Sequence, residues 1–189
     1  MKFVLATAGL SLSLTSAFHI PEGIQDGVYS VHVYPNGTEE HNRLPNPSPL
    51  GSALQLRKRQ GEFYGGPQCY GGDEGGELNH GDTDAANAAL QNQCGYGANI
   101  NYGDDFYSIY GCTVAYACNF YDNSNAPAGA NDDYTTCFAD CSVHANQIIT
   151  SGCGEYQPGS IQDNLYEVAY GYENFCSSRG SNFCGRGTG

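Results

Sequence analysis

Nine cysteines constrain this chain more than any other feature. Cys69, Cys94, Cys112, Cys118, Cys137, Cys141, Cys153, Cys176 and Cys184 all lie beyond the first third of 189 residues. Behind an export signal, such crowding reads as a disulfide framework and not as a metal site. Each bridge is worth about 2–4 kcal/mol, so four can compensate for a modest stock of large aliphatic side chains. Nine is odd, which leaves one thiol free or available for a disulfide-linked dimer. The pairing itself cannot be deduced, because eight cysteines alone allow about 105 connectivities.

The export signal is legible at the start. Met1-Lys2 is short and basic, residues 3–14 are apolar apart from small residues, and Thr15-Ser16-Ala17 supplies a cleavage sequence. Residues 1–17 are a secretory signal peptide, too short to anchor in a bilayer. A second boundary is the basic run Arg57-Lys58-Arg59, set between a Pro/Ser-rich linker and a glycine-rich start at Gln60. It has the form of a dibasic site for a kexin-type protease, cut after Lys58-Arg59. The expected organisation is a pro-segment, residues 18–59, and a mature cysteine-rich domain, residues 60–189. Within the pro-segment, residues 27–34 read as a strand ended by the turn signal Pro35-Asn36-Gly37. Asn36-Gly37-Thr38 is an acceptor for N-glycosylation.

Charge divides at the same boundary. Sixteen of the twenty acidic residues follow Arg59, against only Arg179 and Arg186, a net charge of −14 with no lysine. Such a surface repels phosphate backbones and anionic lipid heads, so neither nucleic acid nor membrane is an expected partner. A cationic partner, a neutral glycan or a metal ion stays compatible with it.

The central element expected of the domain is the stretch from Tyr110 to Phe120. Cys112, Val114, Tyr116 and Cys118 alternate with Thr113, Ala115, Ala117 and Asn119, the period of a strand with one buried face. Both cysteines then fall on the inner face and staple the strand at its ends. Gly111 separates it from a preceding strand, residues 105–110. An alanine-rich helix is expected over residues 84–94, capped by Asp82 or Thr83, with Ala86, Ala89, Leu90 and Cys94 on one face. A second helix is expected to open at Asn131-Asp132-Asp133. It would carry Tyr134, Cys137, Phe138, Cys141, Ala145 and Ile148 at helical spacing, with Cys137 and Cys141 one turn apart. Residues 165–175 read as a final strand interrupted at Gly171. With a weak strand near Phe63-Tyr64, the order is βαββαβ. That is α+β, a small disulfide-stapled α/β sandwich of the ferredoxin-like kind, two helices on one face of an antiparallel sheet.

The signal peptide, the pro-segment with Gly27-Val28-Tyr29-Ser30-Val31 and the Arg57-Lys58-Arg59 run resemble the processed small cysteine-rich secreted proteins of filamentous fungi. Leu90 and Cys94, the run from Tyr110 to Asn119, Ile148 with Cys153-Gly154, Pro158-Gly159, Tyr170-Gly171 and Phe175-Cys176 are similar in layout to killer-toxin-like effectors. That family includes the virally encoded smut killer toxins, and it implies a disulfide-bonded α/β sandwich over residues 63–184. It also implies a role against a host or a competing microbe. The odd cysteine and the strong acidity set this chain apart from a basic, membrane-active toxin.

The residues offer little catalytic chemistry. His80 lies in the glycine-rich loop. His144 follows Cys141 by three residues, but Cys141 is expected in a bridge, which removes a Cys/His nucleophile. Two arginines are a poor supply for phosphoryl chemistry. The acid pairs Asp73-Glu74, Asp104-Asp105 and Asp132-Asp133 could serve a glycosidase but sit where acids cap helices and turns. Asp82-Thr83-Asp84 with Asn79 and Asp73-Glu74 could gather oxygens for calcium, though without EF-hand spacing. No catalytic residue, metal site or cofactor is expected. Tyr96, Tyr102, Tyr107, Tyr110, Tyr116, Tyr121, Tyr166, Tyr170 and Tyr172 exceed the needs of a small core, so some should form an exposed recognition face. The expectation is a secreted, extracellular effector, with entry into host cells left open. It would bind a host or competitor protein or glycan without catalysis. The alternatives are an antimicrobial protein of the killer type and a small secreted hydrolase.

Overall fold

A computed structural model describes residues 18–46, 61–70, 77–120, 134–177 and 183–184. In chain order the elements are β1 (Gly27–Val33), β2 (Glu39–Leu44), β3 (Gln68–Cys69), α1 (His80–Cys94), β4 (Ala98–Asn101), β5 (Asp104–Tyr110), β6 (Thr113–Asn119), β7 (Tyr134–Cys137), α2 (Ala139–Cys153), β8 (Gly159–Asp163) and β9 (Val168–Asn174). Seven strands form one antiparallel sheet in the order β2-β1-β5-β6-β9-β8-β3, and β4 pairs with β7 in a separate two-stranded sheet.

The class is α+β with an antiparallel sheet, two helices and four disulfides. The finer βαββαβ expectation does not describe the strand order. The described residues of 61–184 carry seven strands rather than four, and the first of them, β3, is a two-residue edge strand on β8. The additional strands are short, two to five residues, at or below the short end of the range over which alternation is read as a strand.

The β5–β6 hairpin forms where the sequence placed it, with the turn at Gly111 and Cys112. However, every residue of β6 is buried, so the strand has two inner faces and not one. Ala115 and Ala117 face the core shared with the helices, where Leu90 and Ile149 pack. These small side chains let the helix backbones approach closely. Val114, Tyr116 and Cys118 face a second core with Tyr107, Ile109, Phe18 and Phe183. Cys112 sits in the turn, exposed, and not on an inner face. Gly171 does not break β9. It leaves room for Tyr116, whose ring a side chain there would strike and whose hydroxyl donates to Glu173 across the strand pair.

The helix α1 buries Thr83, Ala86, Ala89, Leu90 and Cys94, one stripe at helical spacing. Its cap is Asn79, whose side chain accepts from the Asp82 N–H, so the helix starts four residues before the expected point. The start of α2 differs more. Residues 131–133 lie outside the described set, and residues 134–137 are strand β7 rather than helix. Thr135 and Thr136 are β-branched and pair with Ile100 and Asn99, a local preference that helical spacing alone does not reveal. Cys137 therefore precedes the helix instead of lying one turn before Cys141 on it. Phe138 at the N-cap has no side-chain cap bond, and its N–H donates to the buried Tyr170 hydroxyl at 3.2 Å.

The N-terminal residues are part of the sheet. β1 pairs with β5 over Gly27–Ile109 to His32–Asp104. Tyr29 stacks on Tyr107 with centroids 5.1 Å apart, and Phe18 stacks on the same ring at 5.0 Å. Phe18 also bridges Phe183 through paired backbone hydrogen bonds of 2.9 Å.

Candidate functional site

Each helix spends its apolar stripe on the sheet, which leaves the polar stripes side by side. On α1 these are Asn87 and Gln91, four apart, with Asp84 and Ala88 beside them, and Thr83 of the buried stripe also borders the cleft. On α2 they are Asn146 and Thr150. Glu155 and Tyr156, in the turn after α2, and Tyr172 from β9 complete a cleft of about 380 Å³. That volume lies in the range of small-molecule sites. The lining offers amides, carboxylates and hydroxyls, and it contains no cationic side chain.

Tyr156 is the most constrained residue of the cleft. Its backbone is left-handed, φ 53°, a conformation that costs a non-glycine residue about 1–3 kcal/mol. Three contacts hold it. Its carbonyl accepts from Leu78 N–H at 2.9 Å. Its ring lies flat on His80, with centroids 3.7 Å apart and planes 9° apart. Its hydroxyl donates to the Asp84 carboxylate at 3.4 Å, and burial together with that carboxylate raises the hydroxyl's pKa, keeping it a donor. Tyr172 lies deeper, its pKa also raised by burial, with its hydroxyl against Thr150. The Asn87 Oδ1 is buried in the cleft wall with no hydrogen-bond partner. A ligand donor would satisfy it.

The structure assigns the cysteines. The bridges are Cys69–Cys153, Cys94–Cys137, Cys112–Cys176 and Cys118–Cys184. The two from the β6 hairpin run to the C-terminal stretch, so that strand is stapled near both ends. Cys141 is outside the four bridges, contrary to the expectation that it is bonded. Its thiol is nevertheless no activated nucleophile. It is 0 % exposed, and burial, followed by the Asp163 carboxylate, pushes its pKa up to about 12. His144 is half-buried and meets Phe63 edge-on at 5.2 Å.

The other sequence candidates have local roles. Asp104 lies 2.5 Å from His32. Asp105 is buried and accepts from Asn119 N–H at 2.7 Å. It sits beside Cys118 and Cys184, whose sulfurs are bonded to each other and so do not act as metal ligands. Asn79, Asp82 and Thr83 are engaged in capping α1. Asn36 is exposed at the β1–β2 turn, where its Oδ1 accepts from Thr38. Ala17, Lys58 and Arg59 lie outside the described residues, as do Asp73-Glu74, Tyr121 and Asp132-Asp133.

The tyrosines divide. Tyr107, Tyr116, Tyr170 and Tyr172 are core, whereas Tyr96 and Tyr102 are about half exposed, at 51 % and 52 %, on either side of β4. Two residues that sequence reasoning passed over are central. Tyr156 carries the cleft. Asp163, 0 % exposed, accepts from the N–H groups of Glu62 and Leu165 at 3.0 Å each and ties the start of the cysteine-rich part to the β8–β9 turn. No local pattern marks either. No family model, curated protein or solved structure matches this chain.

Proposed function

We propose that this is a secreted recognition protein, an effector of the fungal killer-toxin-like kind, that binds a neutral glycan of a host or competitor cell in the α1–α2 cleft without reacting with it. The observation that carries the reading is the cleft itself. Asn87, Gln91 and Asn146 offer paired donors and acceptors suited to neighbouring hydroxyls, and Tyr156 is a rigid aromatic wall. Asp84 and Glu155 accept hydroxyl protons and repel anionic sugars. Four disulfides are in keeping with an oxidising, extracellular location. Among the described residues no helix is long and apolar enough to cross a membrane.

The test is calorimetric titration of the secreted protein with neutral cell-wall oligosaccharides, glucan, chitin and mannan fragments in turn. Binding should fall about tenfold or more in Gln91→Ala and Tyr156→Ala, each removing a ligand contact, with circular dichroism unchanged. Equal binding by these variants would remove the cleft from the account. Cleavage of the oligosaccharide would favour the hydrolase, and growth inhibition of competing cells would favour the killer protein. N-terminal sequencing of secreted material tests the cuts after Ala17 and Arg59.

A further inference from the structure

We propose that residues 18–46 stay seated on β5 after the chain is cut at Arg57-Lys58-Arg59, so that the secreted protein is a non-covalent assembly of two chains. This rests on the reading that the protein is exported and processed. The partner is defined by the chain itself: one hairpin whose inner strand completes the sheet.

Three observations carry the inference. First, β1 is an interior strand, hydrogen-bonded to β2 on one side and to β5 on the other. Phe18, Val28, Tyr29 and Val31 from the segment are all buried, Phe18 and Val31 completely. Phe18, Tyr29 and Val31 share a core with Tyr107 of β5, which is sandwiched between the rings of Phe18 and Tyr29 while its hydroxyl meets His41 at 2.7 Å. Second, the two edges of this arrangement differ in kind. The outer strand β2, Glu-Glu-His-Asn-Arg-Leu, is the charged edge that keeps a sheet from pairing with strangers. Without the segment the edge would be β5, whose Tyr107 and Ile109 are apolar and now fully buried. Loss of the segment would therefore create an adhesive edge and open the second core on the side of Tyr107. Third, no cysteine precedes Cys69, so no bridge ties the segment to the rest. Its retention depends on the β1–β5 ladder, the aromatic cluster and the Phe18–Phe183 bridge.

The experiment uses the purified full chain from residue 18, cut in solution with a kexin-type protease and passed over size exclusion with native mass spectrometry. Retention predicts one species, heavier than the uncut chain by the water added at the cut, that separates into two chains only in denaturant. Elution of the segment apart from residues 60–189 would overturn the proposal. If the kexin-type protease does not cut, the processing reading fails. The same comparison is then made on a chain with another protease's recognition sequence in place of Arg57-Lys58-Arg59, so retention is judged either way. Val31→Ala, which empties part of the buried face, should release the segment about tenfold faster after cutting, whereas Glu40→Gln on the outer edge should not. Equal release from both variants would also refute the seat described here.

Discussion

The two bridges of the β6 hairpin are coupled, and the coupling can be measured. Cys112–Cys176 and Cys118–Cys184 join the same two stretches of chain, with sequence separations of 64 and 66. If Cys118–Cys184 is intact, the loop closed by Cys112–Cys176 runs only through residues 112–118 and 176–184, roughly 15 residues, for which loop closure is worth about 3 kcal/mol. If it is absent, the loop is about 60 residues and the same bridge is worth about 4 kcal/mol. Removing either bridge alone should therefore cost about 3 kcal/mol, and removing both about 7 rather than 6. Cys112 is exposed and Cys176 only half-buried, so Cys112→Ser with Cys176→Ser disturbs little packing. Cys118 and Cys184 are buried and are better replaced by alanine. Urea unfolding of the three variants and the parent gives the cycle. Strict additivity would refute the shared-loop argument. A cost below about 1 kcal/mol for either single removal would refute the expectation that the bridges compensate for a modest stock of large aliphatic side chains.

Further outcomes follow from the core. Folding raises the Cys141 thiol from its ordinary 9.0 to about 12, so the native state holds a proton that the unfolded chain releases. This stabilisation is complete below pH 9 and is lost as pH climbs toward 12. Burial raises Tyr107, Tyr116, Tyr170 and Tyr172 in the same direction, so the urea midpoint should fall steeply above pH 9, and less steeply in Cys141→Ala. Thiol titration should find no fast-reacting group in the native protein and one per chain in denaturant, and a non-reducing gel should show no cross-linked dimer. Gly171→Ala drives a methyl into the Tyr116 ring and should cost about 1–3 kcal/mol in thermal or urea unfolding. Asn36→Gln should remove a glycan mass from the N-terminal hairpin and change stability by no more than about 0.5 kcal/mol, because the turn and its Asn36–Thr38 contact are exposed.

What was legible in the sequence was local. Aromatic and β-branched residues alternating around Gly111 announce the β5–β6 hairpin, and alanines with Leu90 at helical spacing announce the buried face of α1. Short strands were not legible: β4 takes its order from β7, distant in the chain, and β8 is a five-residue strand that opens within the turn signal Pro158-Gly159. The start of α2 misled because Tyr134, Cys137 and Cys141 fit a helical period that Thr135 and Thr136 override. The doubly buried β6 was hidden for a related reason. Alanine and threonine look like an outer face until two helices need small residues beneath them. The cleft was invisible, since Asn87, Gln91 and Asn146 read separately as solvated helix surface and become a site only where α1 and α2 lie together. Tyr156 carries no signal beyond its neighbouring turn.

The four bridges are unevenly placed, and that gives the molecule a direction of opening. Every cross-link lies between Cys69 and Cys184, joining β3 to α2, α1 to β7, and the β6 hairpin to the residues after β9. The strands β1 and β2 have none, yet they finish the second core around Tyr107. Cross-links restrict the unfolded chain, so the stapled region gains most from them, while the N-terminal hairpin is held by side-chain burial and backbone pairing alone. The hairpin is then the first unit expected to leave as stability falls. Two of the bridges, Cys94–Cys137 and Cys69–Cys153, fix the ends of the helices that line the cleft, where a ligand site needs rigidity, and the separable piece is the β2-β1 edge of the sheet, whose departure would uncover an apolar edge.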